Sequence, residues 1–210
     1  MYILKTDKYS SHNQIAGMVA TGSKVLDVGC STGQLAELIR GKECYTVGID
    51  SGWEDLKKAR YDKKILCDIE KNLPKIRESF DLIIFADVLE HLRDPERILK
   101  AYRKYLSRDG RIVVSLPNVA NLYVRIKLLF GKFDYQERGI MDKTHLRFFT
   151  LSSAKSLFKD HFLIEDVRAT PIPLQLANRK LNVLYKPLYW LTRLFPTVFG
   201  YQFIFRLKPK

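Results

Sequence analysis

Between Val25 and Gly33 a short apolar run ends in an acid. A loop follows whose two glycines, Gly29 and Gly33, stand four residues apart. The helical pattern Gln34-Leu35-Ala36-Glu37-Leu38-Ile39-Arg40 comes directly after. Strand, tight turn and helix N-terminus in this order make the nucleotide-cofactor edge of an open α/β sheet. A second acid, Asp50, closes the next strand (Tyr45 to Ile49), 21 positions after Gly29, where a cofactor ribose would be read.

The pattern continues as a rhythm. Strands are expected at Lys24 to Val28, Tyr45 to Ile49, Lys64 to Cys67, Phe80 to Ala86, Arg111 to Leu116, Phe162 to Ala169 and near Tyr201 to Leu207. Helices are expected at Ser10 to Ala20, Thr32 to Arg40, Trp53 to Ala59, Pro95 to Leu106, about Val119 to Phe130, and Ser152 to Lys159. Continuous apolar runs in the strands fit a parallel sheet covered on both faces, and βαβ alternation fits a doubly wound fold. Two stretches break the rhythm. Residues 131–150 form a polar, aromatic loop, long enough to be functional, and residues 171–199 form an apolar, aromatic insertion before the last strand.

Composition sets outer bounds. A chain of 210 residues, 46% hydrophobic, predicts one domain over residues 1–210 with an ample core. Cys30, Cys44 and Cys67 are scattered and not at metal spacing, so they read as reduced thiols of a cytoplasmic protein, and no metal site is expected. The polar N-terminus predicts no signal peptide, and no apolar run reaches membrane-spanning length. The net charge of +13 is uneven: after Asp166 the chain has no acid and eight Lys or Arg residues. That asymmetry fits an anionic neighbour (nucleic acid, anionic lipid or a phosphorylated substrate) or a plain solvated surface.

The first loop excludes two cofactor modes. A phosphate-binding P-loop sequence is absent. A dinucleotide loop needs a middle glycine where Ser31 stands, and Asp27 at the strand end would repel a pyrophosphate. Asp27 instead suits a ligand carrying a cationic amine, such as the methionine part of S-adenosylmethionine.

Five motifs in order then carry a resemblance. They are Val25 to Gly33; Asp50; the pair Asp68-Ile69; Phe80-Asp81-Leu82-Ile83-Ile84-Phe85-Ala86-Asp87-Val88-Leu89-Glu90-His91-Leu92; and Leu106 to Asn118. Over nearly its whole length the chain resembles the class I S-adenosylmethionine-dependent methyltransferases. The stretch Ser115 to Gly131, with Asp142-Lys143-Thr144-His145-Leu146-Arg147-Phe148-Phe149-Thr150, is similar to small-molecule methyltransferases of surface-sugar or lipid pathways and to MetW-type proteins. The resemblance implies a mostly parallel, seven-stranded α/β sheet with a helical insertion before an antiparallel last strand. It implies S-adenosylmethionine contacts from Asp27, Gly29, Cys30, Gly33, Asp50, Ser51, Asp68, Ile69, Ala86 and Asp87. Asp50 would take both ribose hydroxyls, Asp68 the adenine amino group, and Ala86 and Asp87 would flank the sulfonium. Cys30 reads as a small residue under the cofactor, not a nucleophile.

Catalysis and acceptor binding have fewer candidates. His91 follows the fourth strand at the cleft, and an imidazole can take a proton at working pH, so it is the first candidate for a general base; the alternative is a turn cap. His145 and Arg147 could bind an anionic or polyhydroxyl substrate, or anchor their loop. Asn118 could orient the acceptor or cap the helix after it. The expected reaction is methyl transfer to a small glycan, lipid or isoprenoid-like O or N acceptor. RNA methylation fits less well, because the fourth strand ends in Ala-Asp-Val-Leu-Glu-His and not in the Asn-Pro-Pro-Tyr used on base amino groups. A non-catalytic, cofactor-binding regulator of MetW type is a further alternative. The aromatic stripe from Leu181 to Phe195, interspersed with Lys180, Lys186 and Arg193, could pack on the sheet, close as a lid, form a dimer surface or touch a membrane. Pro187 is expected to start a second helix there.

Overall fold

A computed structural model describes residues 9–173 and 185–210. In chain order the elements are α1 (Ser11–Met18), β1 (Lys24–Val28), α2 (Gln34–Ile39), β2 (Tyr45–Asp50), α3 (Trp53–Leu56), β3 (Lys63–Leu66), β4 (Phe80–Ala86), α4 (Pro95–Tyr102), β5 (Leu106–Pro117), α5 (Leu122–Leu129), α6 (Leu151–Phe158), β6 (Phe162–Thr170), α7 (Tyr185–Leu194), α8 (Pro196–Phe199) and β7 (Gln202–Pro209). The sheet has seven strands in the order β3-β2-β1-β4-β5-β7-β6, and β7 runs antiparallel to both its neighbours. This is the doubly wound architecture expected from the sequence.

Burial explains the strand patterns. The central strand β4 buries Phe80 and every residue from Leu82 to Phe85, because helices cover both of its faces. The edge strands β3 and β6 alternate more nearly between covered and exposed positions. One core layer joins Leu26, Val28 and Phe85 to Leu99 and Tyr102 of α4; the opposite layer joins Val25, Ile84 and Ile204 to Ile15, Leu35 and Ile39 of α1 and α2.

α4 shows how local chemistry starts a helix. Asp94 caps it by accepting from the Arg97 amide at 3.0 Å, and Pro95 takes the first turn, where its missing N–H is not needed. Ile98, Leu99 and Tyr102, at helical spacing, then face the sheet. Burying Leu99 alone contributes about 2 kcal/mol, and truncation to alanine would cost about 3 kcal/mol through the cavity left behind.

Several boundaries differ from the sequence expectation. α2 begins at Gln34 because the turn through Gly33 is left-handed. α5 begins at Leu122, three residues late, because Asn121 caps it by accepting from the Tyr123 amide. β5 is longer than expected, reaching back through an irregular register to Leu106. Pro187 lies in the first turn of α7 and starts no second helix; Pro196 does that. Residues 181–184 of the aromatic stripe lie outside the described residues.

Candidate active site

The strand order reverses between β1 and β4, so the loops after these two strands diverge and leave a crevice at their carboxyl ends. The first loop folds tightly over β2. Gly29 and Cys30 both donate their amides to the Ile49 carbonyl, at 2.8 and 3.0 Å. Gly29 has φ +72°, and a Cβ there would lie 2.4 Å from Val88. Glycine is therefore required by the packing of the β4 loop against the β1 loop. Ser31, where the resemblance has glycine, also has positive φ, at +45°. Its amide donates to Asp50 Oδ2 at 2.7 Å, while Oδ1 accepts from the Gly52 amide at 2.8 Å. Each carboxylate oxygen of Asp50 thus holds one backbone amide and keeps a further lone pair, a donor-accepting set that fits two ribose hydroxyls. Ser51 is exposed at the lip.

Asp27 occupies a different position from Asp50. It is buried, and the Tyr61 hydroxyl donates to its Oδ2 at 2.5 Å. Burial, with a smaller contribution from nearby Asp50, pushes its pKa from 3.8 up to about 7 in spite of that bond. Tyr61 was not visible as a site residue in the sequence. Its signal is Gly48 in the middle of β2: a Cβ there would sit 2.6 Å from the Tyr61 ring and 2.9 Å from Cys30 Sγ. Burial and the neighbouring Asp27 carboxyl raise the Cys30 thiol well above its ordinary range, so it stays protonated.

The Cys67 amide donates to the Asp50 carbonyl at 2.9 Å, which sets Asp68 beside the β2 end. Asp68 is paired with Lys71 at 2.9 Å and accepts the Glu70 amide; Ile69 is partly buried against the core. Ala86 ends β4 opposite Ser115. Asp87, with φ +59°, is held by Ser115 Oγ at 2.6 Å and Gln202 Nε2 at 2.7 Å. Neither holder was anticipated, because both lie on strands distant in sequence.

A second group assembles beyond β4. His91 and His145, 54 positions apart in the chain, meet edge to face with ring centroids 4.8 Å apart. His91 Nδ1 faces the Thr144 carbonyl at 3.2 Å, and His145 Nδ1 faces the Ile140 carbonyl at 3.0 Å. Carbonyls only accept, and the Thr144 hydroxyl, also 3.2 Å from His91 Nδ1, gives its proton to Asp142 Oδ1, so both Nδ1 atoms carry the proton and both Nε2 atoms keep a lone pair. Glu90 lies against them, 1% exposed, with Oε1 4.0 Å from His145 Nε2 and no partner for Oε2. Burial, and then the charge of Asp87, raise the Glu90 pKa far above the carboxylate range. Burial, and then His91, lower that of His145. The close contact is thus between two neutral groups, not an ion pair. Glu90, His91 and His145 offer one carboxylate oxygen and two imidazole nitrogens within 4.8 Å of one another, a set that could hold a divalent cation. The sequence reading expected no metal site and missed this trio, since only the folded loop brings His145 to Glu90.

Two acceptor candidates are committed elsewhere: Arg147 anchors its loop, the other role considered for it, and Asn118 takes neither role, since Asn121 caps α5. Asn118 is completely buried, and its amide donates to the carbonyls of Gly200 at 2.8 Å and Thr197 at 3.2 Å while its oxygen accepts from Ala120. Nothing remains to orient an acceptor; Asn118 holds α8 to the end of β5. Arg147 donates from Nε to the Arg93 carbonyl at 2.9 Å and from a terminal nitrogen to the same oxygen. With the amides of Leu146 and Arg147 on the Glu90 carbonyl, it stitches the 131–150 loop onto the segment after β4. The apolar side of that loop, Ile140 and Met141, packs on Val124.

A methyltransferase-domain profile matches residues 9–161. The ubiquinone biosynthesis O-methyltransferase of Rattus norvegicus is 30% identical over 155 residues, 68% of this chain and 43% of that protein. The enzyme of the same name from Idiomarina loihiensis is 35% identical over 106 residues, 46% of this chain and 43% of its own length. The chain thus spans less than half the length of these relatives. Among solved structures, an S-adenosylmethionine-dependent methyltransferase from Mesorhizobium loti superposes with a TM-score of 0.63 at 17% identity, covering 99% of this chain and all of that one. The N-methyltransferase NodS of Bradyrhizobium japonicum, solved with S-adenosyl-L-homocysteine, gives 0.62 at 14% identity, covering 98% of this chain and 87% of that one. The chain belongs to the methyltransferase-domain family, and its fold is that of the class I S-adenosylmethionine-dependent methyltransferases.

Proposed function

We propose that this protein transfers a methyl group from S-adenosylmethionine to a hydroxyl oxygen of a small, isoprenoid-like or otherwise lipophilic acceptor. The observation that carries the reading is His91, just after the strand whose end lines the crevice, packed against His145 of the 131–150 loop, each ring with Nδ1 on a carbonyl and Nε2 left as the basic atom. The relatives named as ubiquinone biosynthesis O-methyltransferases support the choice of an oxygen acceptor.

The cofactor supplies a methyl group that is already activated as a sulfonium. The residues of the chain bind, orient and accept a proton. Asp50, its carboxylate fixed by the Ser31 and Gly52 amides, takes the ribose hydroxyls on its spare lone pairs. The Gly29–Cys30 backbone gives a close floor, and Asp87, locked by Ser115 and Gln202, sets the wall at the end of β4. A neutral hydroxyl is a poor nucleophile, so a base within reach accelerates attack by about 100- to 10,000-fold. The Thr144 and Ile140 carbonyls keep the Nδ1 protons in place, which leaves Nε2 as the basic atom on each ring. Burial keeps His145 neutral, so it supports His91 without adding a repelling charge.

One observation favours a variant of this reading: the buried Glu90 Oε2 has no partner. A divalent cation on Glu90, His91 and His145 would satisfy it and would acidify the acceptor hydroxyl as a Lewis acid.

The test is incubation with methyl-labelled cofactor and a cell extract fractionated into lipid, small-molecule, RNA and protein pools. Label is expected in an ether-linked methyl in the lipid pool. Label confined to RNA, or calorimetry showing no cofactor binding, overturns the proposal.

A further inference from the structure

α5 is an unusual helix for a folded domain. Of its eight residues only Val124 is buried, while Tyr123, Ile126, Leu128 and Leu129 point into solvent. Leu129 is 81% exposed, and Phe130 after it is 73% exposed. A short helix normally gains its stability from an apolar stripe packed on the core; here most of that stripe has no partner among the described residues. A second patch lies on α7. Tyr185 and Thr192 face inward, with Tyr189 stacked on Tyr9 at 4.3 Å, whereas Trp190, Leu191, Leu194 and Phe195 are exposed. α8 joins the two patches: Phe195 meets Phe199, and the Gly200 carbonyl accepts from Asn121, the cap of α5.

Charge separates the candidate occupants of this surface. No acid occurs from residue 119 to 133 or after Asp166, and Arg125, Lys127, Lys132, Lys186 and Arg193 lie among the apolar residues. Arg193 lies over the Trp190 ring at 5.6 Å and Lys127 over the Tyr123 ring at 5.5 Å. Cations beside aromatic rings, with aliphatic tips projecting past them, are the composition of an interfacial segment, where stems enter the acyl boundary and charges stay at the headgroups. A second copy of the chain would oppose the same cationic surface to itself, with +13 on each molecule. Nucleic acid would meet aliphatic tips such as Leu129 and Leu194 that offer it neither stacking nor hydrogen bonds.

We propose that the outward faces of α5 and of α7 dock the protein on an anionic lipid bilayer. The apolar tips insert at the acyl boundary, and the interspersed Lys and Arg side chains meet the negative headgroups. Docking does not depend on the proposed reaction, since vesicle binding is read without cofactor or acceptor.

The test is co-sedimentation of the full chain with phosphatidylcholine vesicles, alone or mixed with phosphatidylglycerol, at low and high salt. Binding to the mixed vesicles is expected to be at least about tenfold tighter than to phosphatidylcholine alone, and to weaken in high salt. Leu129→Ser with Phe130→Ser should weaken it about tenfold or more while the melting temperature is unchanged, because both residues are exposed. Lys132→Glu with Arg193→Glu should abolish the preference for phosphatidylglycerol. Failure to sediment with either vesicle overturns the proposal, as does wild-type binding by the serine double variant. A concentration-dependent dimer lost in that variant, without vesicle binding, assigns the face to a second copy and also overturns it. Sedimentation only in the presence of RNA does the same.

Discussion

The carboxyl ends of β1, β2 and β4 and the segments beyond β5 are built on opposite terms. At the first, side chains are fitted to within tenths of an ångström: Gly29 accommodates Val88, Gly48 accommodates Tyr61, and Asp50 is held by two amides. At the second, α5 and α7 leave leucine, phenylalanine and tryptophan in solvent, tied down by a few buried asparagine and histidine contacts. A cofactor common to a whole family is met by a rigid, tightly packed edge. The segments beyond β5, proposed above as the acceptor and docking side, are carried on loops and short helices whose packing constrains them least.

The sharpest way to break this contrast is at its rigid half. Asp50→Ala should weaken S-adenosylmethionine binding about 100-fold or more, since two hydrogen bonds to a carboxylate are lost at about 1.5–3 kcal/mol each. Unchanged affinity by calorimetry would remove the ribose assignment.

The next effect falls where the two halves meet. His91→Ala should lower kcat about 100-fold with little change in cofactor affinity, and His145→Ala should do nearly as much. Dialysis against a chelator separates base from metal. The base reading expects an unchanged rate, and a loss restored by a divalent cation would reassign Glu90, His91 and His145 as ligands.

A smaller effect concerns Asp27 and the stability of the rigid half. Its folded pKa of about 7 lies above the unfolded 3.8, so between these values the folded state holds a proton that the unfolded state lacks. Stability therefore falls as pH rises through this window, and the full cost is present above it. Asp27→Asn removes that cost. It should stabilise the protein by about 2 kcal/mol at mildly alkaline pH, after allowance for a weaker bond from Tyr61, and give no gain near the lower end of the window. Melting curves across pH would show it; a gain independent of pH would mean the carboxyl is not the source.

The smallest effect is Ser31→Gly. Relief of a positive φ should stabilise by about 0.5–1 kcal/mol and leave cofactor affinity within about twofold, because Asp50 bonds the Ser31 amide and not its side chain.

The same contrast decides what could be read from the chain. The cofactor edge is local in sequence: the Asp27–Gly33 turn and Asp50 each follow their strand directly, and apolar runs set the strand registers. The strands and the doubly wound rhythm were legible for that reason, while the antiparallel direction of the last strand came only from the family resemblance. The region proposed as the acceptor side depends on contacts between distant segments. His145 meets Glu90 only because Arg147 and the Leu146 amide fold the loop back onto residues 90–93, and no periodicity announces such a contact. Asn118 was read as an acceptor contact or a cap because its partners, Thr197 and Gly200, lie some 80 residues downstream and are backbone carbonyls without a sequence signature. Tyr61 had a signal in Gly48, a glycine inside a strand, but the ring that fills the gap could not be named.

The clamp made by Asn118 and Asn121 on Gly200 has a counterpart one residue further on. The Tyr201 amide donates to the Thr170 carbonyl at 2.7 Å, and the Gln202 amide to Thr170 Oγ1 at 3.2 Å. The chain leaves the sheet after β6 and re-enters it before β7 where Thr170, Tyr201 and Gln202 are pinned together. These bonds close the intervening segment at its base. Its length and chemistry can be exchanged by insertion, deletion or recombination while the strand pairing of β5, β6 and β7 stays in register. On the proposed readings, a base closed in this way lets the acceptor-side or membrane-side segment vary while the strands that hold the methyl donor stay unchanged.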